Sequence, residues 1–117
     1  MKADKKKRIA VDLDGTLTKQ GKFNNIWDIT PMQLIEYYEN VEPNKDMIEL
    51  VNKLYDKGYT IYIFTSRSNL YQRQTKDWMD KNNIKHHYFI TDKPYYDVFI
   101  DDKAIHPEVA LLWEKNL

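Results

Sequence analysis

The sequence predicts an α/β fold of the Rossmann-like, doubly wound kind, built on a parallel sheet. Three observations predict it. Runs of apolar, β-branched and aromatic residues (Ile9-Ala10-Val11, Tyr59-Thr60-Ile61-Tyr62-Ile63-Phe64, His87-Tyr88-Phe89-Ile90 and Val98-Phe99-Ile100) alternate with stretches of helical period. Each run stops abruptly at polar residues, as strands do when their carboxyl ends empty into loops along one edge of a parallel sheet. The length, 117 residues, is close to that of a common single domain. One domain is therefore expected over residues 1–117, without internal repeat, low-complexity segment or linker.

The elements follow in order. Residues 8–13 form the first strand, and residues 8–17 make the strand with its loop. Residues 18–29 mix Gly, Lys, Asn and Trp27 without a period and read as a flap. At Thr30-Pro31-Met32-Gln33 the pattern changes. Thr30 suits an N-cap, Pro31 the first helical position, and Gln33 completes a capping box for a short helix through about Glu39. The flap and short helix together occupy residues 18–43. Pro43-Asn44 opens a second helix, with Met47, Ile48, Val51, Leu54 and Tyr55 on one face and Gly58 as its stop. The run ending at Phe64 is nearly unbroken in apolar character, as expected of a strand covered on both faces. A helix over about 70–82 turns Tyr71, Thr75, Trp78 and Met79 inward and ends at Asn82-Asn83. The third and fourth strands are residues 87–90 and 98–100. Pro107 begins a last helix whose Val109, Leu112 and Trp113 face the sheet.

Composition narrows the function classes. An apolar fraction of 42% and an aromatic fraction of 14% exclude a disordered chain. With 18 basic and 18 acidic residues, broad nucleic-acid binding is not expected. Lys5-Lys6-Lys7-Arg8 reads as a solvated tail. The chain has no cysteine, which excludes disulfides, thiolate chemistry and zinc-thiolate sites. No stretch approaches the roughly 20 apolar residues of a membrane span, and the charged N-terminus lacks a signal-peptide core. A soluble, cytoplasmic protein is the expectation.

The chemistry is concentrated at the strand ends. Asp12-Leu13-Asp14-Gly15-Thr16-Leu17-Thr18 follows the first strand. Asp12 and Asp14 are one residue apart, so in extended backbone they point the same way. Two like charges aimed at one point call for a cation, a proton or a catalytic task, although Asp-Gly is also a common turn. The second strand delivers Thr65, Ser66 and Arg67, the third leads to Thr91, Asp92 and Lys93, and the fourth ends at Asp101 and Asp102. Several carboxylates near one point make a hard, oxygen-rich site of the kind Mg²⁺ prefers. A hydroxyl and a cation beside them supply what a phosphoryl group needs around its oxygens. Taken singly, Thr65 reads equally as a helix cap and Lys93 as a loop lysine. Lys85 is the alternative to Lys93, poorly aimed before the third strand. His86, His87 and His106 have no metal-ligand spacing and read as structural or substrate-facing.

These motifs resemble those of the haloacid dehalogenase-like (HAD-like) phosphohydrolases. Asp12 to Thr18 is similar to the family's first motif, Ile61-Tyr62-Ile63-Phe64-Thr65 to its second, Lys93 before Pro94 to its third, and Phe99-Ile100-Asp101-Asp102 to its fourth. The resemblance implies a Mg²⁺-dependent phosphomonoesterase working through an aspartyl-phosphate. It makes Asp12 the nucleophile and Asp14 the general acid-base. Thr65, with Gly15, Ser66 and Lys93, would bind phosphate, and Arg67 would add a donor for phosphate or leaving group. Mg²⁺ would be held by the Asp12 carboxylate, the Asp14 carbonyl and Asp101, with Asp102 direct or through water.

Larger members of that family cover the site with a cap domain. The stretches 15–64 and 66–92 are too short to hold one, so a small, capless type is expected. Its open site would suit a large substrate or be closed by a neighbouring subunit. A homo-oligomer covering a sheet edge is part of that expectation. The Lys-Pro shortly before Ile-Asp-Asp resembles small bacterial or phage members, which implies a sugar phosphate or a related capsule or nucleotide metabolite as substrate. A polynucleotide 3′-phosphatase is the alternative enzyme. A non-catalytic binding module of the same fold is the alternative outside enzymes.

Overall fold

The computed structural model describes residues 7–19 and 29–117. Its sheet is parallel and three-stranded, in the order β1-β2-β3, with β1 (Arg8–Asp12), β2 (Thr60–Phe64) and β3 (Tyr88–Ile90). The register pairs Val11 with Ile63 and Ile63 with Phe89. Because side chains alternate along a strand, Ile9, Val11, Ile61, Ile63 and Phe89 share one face. Val11, Ile61 and Ile63 are buried there, with Ile9 and Phe89 packed at the rim.

Two helices precede β2. Helix α1 (Pro31–Asn40) starts at the expected capping box: the Thr30 hydroxyl accepts from the Gln33 N–H, and the Gln33 side chain accepts from the Thr30 N–H at 2.8 Å. Helix α2 (Lys45–Asp56) is capped by Asn44, whose side-chain oxygen accepts from the Met47 N–H. Gly58 sits at φ 100°, the left-handed conformation that lets the chain leave α2 and enter β2. The α2 face contributes Met47, Ile48, Leu50, Val51 and Leu54 to the core. Leu50 joins the side chains expected from the period, while Tyr55 packs at the edge. Burying each of these larger apolar side chains is worth roughly 1.5–3 kcal/mol.

After β2 a 3₁₀ turn (Asn69–Tyr71) leads into α3 (Gln72–Lys81), which buries Thr75, Trp78 and Met79. Asn83, at φ 57°, closes that helix as expected of Asn. The ends of the excursion between β1 and α2 are stitched together. Thr18 and Pro43 form an antiparallel bridge, and the Lys19 N–H donates to the Glu42 carbonyl at 2.9 Å. The flap reading for residues 20–28, Trp27 included, and for the basic tail up to Lys6, lies outside the described residues.

Three expectations are corrected. First, β2 is not covered equally on both faces. Ile61 and Ile63 are buried, but Thr60, Tyr62 and Phe64 are half-buried, and Tyr62 stacks on the exposed Tyr88 with ring centroids 4.8 Å apart. Second, Val98-Phe99-Ile100 is not a strand. A strand needs an edge to pair with, and this short run pairs with none, leaving Ile100 95% exposed. Third, the last helix is a single α turn, α4 (Pro107–Ala110), continuing as 3₁₀ over Leu111–Asn116. With three residues per turn, Trp113 falls beneath the buried Ala110, whereas Val109 and Leu112 share the outward side and are exposed.

Among the described residues, the stretch from Asp14 to Thr65 forms only α1, α2 and β2, and the stretch from Thr65 to Lys93 only the 3₁₀ turn, α3 and β3. The architecture is an α/β, Rossmann-like fold with no cap domain among these residues. No helix among them is long and apolar enough to cross a membrane.

Candidate active site

The carboxyl ends of β1, β2 and β3 meet at one sheet edge, and hydrogen bonds between their loops fix the meeting. The Thr65 N–H donates to the Ile90 carbonyl at 3.0 Å, and the Lys93 N–H to the Thr65 carbonyl at 3.0 Å. The Asp92 N–H donates to the Arg67 carbonyl at 2.9 Å. Asp92 adopts a left-handed φ of 60°, unusual for a residue with a side chain, and its carboxylate accepts from the Asn69 N–H and the Thr91 hydroxyl.

The first loop is anchored by its leucines. Leu13 and Leu17 are fully buried, and the Leu13 carbonyl accepts from the N–H groups of Thr16, Leu17 and Thr18. Gly15 takes φ 84°, which its lack of a Cβ permits, and its N–H donates to the Thr18 hydroxyl at 3.0 Å. The alternation of acid and leucine therefore has a physical meaning. The leucines hold the loop to the core while Asp12 and Asp14, both half-buried, are left at the site.

The two aspartates find different cations. Asp12 Oδ1 accepts from Lys93 Nζ at 3.2 Å, with the lysine side chain 12% and the aspartate side chain 44% exposed. The Lys93 ammonium also lies 5.1 Å from the Phe64 ring centroid and 5.4 Å from that of Tyr96. Asp14 is gripped by Arg67 through two parallel bonds, Nη2 to Oδ1 at 2.6 Å and Nε to Oδ2 at 3.0 Å. Arg67 Nη1 donates to the Thr75 hydroxyl at 3.2 Å, and the guanidinium carbon sits 3.9 Å from the Tyr38 ring centroid. Burial pushes the Tyr38 hydroxyl up to about 12, with the Arg67 charge pulling against it. Burial likewise raises Tyr37, helped by the negative charge of Asp14.

The structure brings Asp12, Asp14, Thr65, Arg67 and Lys93 to one sheet edge. Thr65 is buried, and its hydroxyl accepts from the Arg67 N–H at 3.1 Å in a local turn; the helix-cap reading is not met, because Ser68 caps the 3₁₀ turn that follows. Arg67 is turned toward Asp14 and does not stand as an open donor. Ser66 and Gly15 are exposed at the rim. Asp101 and Asp102 do not join the group. They follow the unpaired 98–100 run and are exposed, and Asp101 Oδ1 accepts from the Lys103 N–H of its own loop. Among the described residues no three Asp, Glu or His side chains gather closely enough to hold a metal ion. The Asp12, Asp101 and Asp102 carboxylates therefore form no such group, while the ligand expected of Asp14 is its backbone carbonyl.

Lys85, the alternative to Lys93, pairs with Asp56 at 2.8 Å. The histidines are structural. His87 stacks on Tyr55 and accepts from the Ile61 N–H, His106 caps α4, and His86 bonds the Ile84 carbonyl. Sequence reasoning missed the Arg67–Asp14 fork and the roles of Tyr38 and Thr75. The inward period of Thr75 was a partial signal, but nothing in a linear pattern pairs residues so far apart.

Fold and site together define a domain of the HAD-like superfamily. A family model described as PITM 1-3, LNS2 domain, matches residues 9–106. The match covers most of the chain, including every residue of the site, and the chain belongs to this family of HAD-like phosphatase fold. A crystal structure of a target protein from Vibrio cholerae is similar over nearly the full length of both, with a TM-score of 0.70 and 26% identity, covering 95% of this chain and 99% of that one. A chain in the structure of a Pnkp1/Rnl/Hen1 complex shares the fold, with a TM-score of 0.58 and 17% identity. That likeness covers 92% of this chain but 33% of the other, so this chain spans about a third of it. No curated protein sequence matches significantly.

Proposed function

We propose that this chain is a phosphomonoesterase acting through an aspartyl-phosphate on Asp12. The observation that carries the proposal is the 3.2 Å contact between the Lys93 ammonium and the Asp12 carboxylate, at the edge where Thr65 and Asp14 also arrive. Membership in a family of HAD-like phosphatase fold supports it. An ammonium beside the attacking carboxylate offsets the repulsion between that anion and the phosphate oxygens.

In the first step a bond forms between an Asp12 oxygen and phosphorus while the bond from phosphorus to the leaving oxygen breaks. The electron pair leaves with that oxygen, which takes a proton that Asp14 must carry on a lone pair left open by the two Arg67 bonds. In the second step water attacks phosphorus and gives a proton to Asp14, and inorganic phosphate departs as the Asp12 carboxylate is restored. The Thr65 hydroxyl accepts from the Arg67 N–H and retains its own hydrogen to donate to a phosphate oxygen. HAD-like phosphatases generally use Mg²⁺. The carboxylates expected to hold it are not gathered here, and the steps above are those that this chain's own side chains supply.

The substrate class we favour is a sugar phosphate or a related capsule or nucleotide metabolite. Polynucleotide 3′-phosphatase is the second reading, and the fold shared with a chain of the Pnkp1/Rnl/Hen1 complex favours keeping it. The deciding experiment is hydrolysis of an aryl phosphate with Mg²⁺ supplied, by wild type and by Asp12→Asn. Turnover by the wild type and its loss in the variant are expected. An inert wild type would point to the non-catalytic alternative, and full turnover by Asp12→Asn would remove Asp12 as nucleophile. A panel of sugar phosphates, nucleotides and 3′-phosphorylated oligonucleotides, ranked by kcat/KM, then selects the substrate class.

A further inference from the structure

We propose that Arg67 is a positioning residue that fixes the Asp14 carboxylate for its proton transfers; this rests on the phosphatase reading above. The Arg67 side chain is 1% exposed, and each of its three guanidinium nitrogens is engaged. Two of them clasp both oxygens of Asp14 at 2.6 and 3.0 Å, and the third donates to Thr75 at 3.2 Å. Tyr38 covers the guanidinium at 3.9 Å. A group so occupied is not an open donor waiting for phosphate.

What the fork does follows from its shape. A guanidinium presents two parallel N–H groups in one plane, so a carboxylate that accepts both is fixed in direction and in rotation. Asp14 stands on a tight turn beside Gly15, where its side chain would otherwise choose among staggered rotamers. Arg67 is itself fixed from four sides. Its N–H donates to the Thr65 hydroxyl, its carbonyl accepts from the Asp92 N–H, Thr75 of α3 holds Nη1, and Tyr38 of α1 holds the flat face. The orientation of the acid-base is thereby set by the body of the fold. A displacement of about 1 Å at a reacting group can cost roughly 100-fold in rate, so the loss of this grip is expected in kcat.

The test is steady-state hydrolysis of an aryl phosphate with Mg²⁺ supplied, by wild type, Asp12→Asn, Arg67→Lys, Arg67→Ala and Thr75→Val, with folding checked by circular dichroism. Arg67→Lys keeps the charge and loses the fork. Its kcat should fall at least about 10-fold while KM moves less than about twofold, the pattern of an interaction needed in the transition state. Thr75→Val should lower kcat by about two- to fivefold in the same direction, because it frees one end of the fork. Guanidinium at tens of millimolar should restore part of the kcat of Arg67→Ala, which a merely structural role would not allow. A rise in KM at unchanged kcat in Arg67→Lys would make Arg67 a substrate donor and overturn the inference. Wild-type rate and KM in a folded Arg67→Lys would overturn it too. An inert wild type, by contrast, removes the phosphatase reading and this inference with it.

Discussion

Lys93 reaches Asp12 from a loop held to β2: its ammonium donates to Asp12 Oδ1 at 3.2 Å while its own N–H donates to the Thr65 carbonyl at 3.0 Å. The lysine is therefore aimed by backbone as well as by charge. Its side chain is the more buried of the pair, and Phe64 and Tyr96 flank its ammonium. A cation fixed in this way costs little reorganisation when charge develops beside it. Lys93→Ala should lower kcat by about 10²–10³-fold, the usual effect of removing one such donor. Lys93→Arg should recover only part, because a planar fork does not replace a point charge. Steady-state kinetics on an aryl phosphate measures both, and a Lys93→Ala enzyme with wild-type kcat would refute the role.

Trp78 joins two helices through one bond. Its indole N–H donates to the Val41 carbonyl, just past the end of α1, at 2.8 Å, and the residue is buried. Trp78→Phe keeps an aromatic ring but leaves that carbonyl without its donor and a space beside it. An unsatisfied buried group costs about 1–3 kcal/mol. Urea unfolding should show a lower midpoint by a corresponding amount. An unshifted midpoint would mean that the carbonyl finds another partner.

The start of α2 carries a separate, smaller effect. Asn44 caps the helix through its side chain, and its N–H donates to the Leu17 carbonyl at 2.8 Å, tying the cap to the loop that carries Asp12 and Asp14. Asn44→Ala removes only the side-chain bond and should destabilise the fold by about 1 kcal/mol. Asn44→Asp, which still accepts from the Met47 N–H, should recover most of it. Thermal unfolding compares the three, and equal melting temperatures would rule out the cap as a source of stability.

Local signals were legible in proportion to how local they are. The capping box at Thr30 and Gln33, the opening of α2 at Pro43-Asn44 and the Gly58 stop depend on residues within one turn, and all three formed as expected. The meeting of Asp12, Thr65 and Lys93 was also legible, because strand ends in a parallel sheet share an edge whatever lies between them. Val98-Phe99-Ile100 shows the limit. Its composition suits a strand, but pairing depends on which edge is within reach, and composition does not encode that. The expected place of Asp101 and Asp102 at that edge depends on the same strand. Arg67 shows the other limit. Its charge suggested a phosphate donor, whereas its burial against Tyr38 and Thr75 directs it to Asp14.

Tyr38 makes stability depend on alkaline pH. Burial raises its hydroxyl from an ordinary 10.0 to about 12 in the folded chain, although the nearby Arg67 charge works in the opposite direction. Below pH 10 the hydroxyl keeps its proton in both folded and unfolded chains, and its contribution to stability is complete. Between about 10 and about 12 the unfolded chain gives up the proton first, so stability falls as pH rises. Above the folded value the contribution is gone. Tyr38→Phe removes the titrating group but keeps the ring over the Arg67 guanidinium. Its unfolding free energy should therefore decline less steeply than that of the wild type across this window. Urea unfolding at several pH values from 9 to 12 measures the difference between the two slopes, which cancels the titration of the other tyrosines and the lysines. Parallel slopes would show that the Tyr38 hydroxyl titrates alike in both states, and that burial beneath Arg67 does not hold its proton.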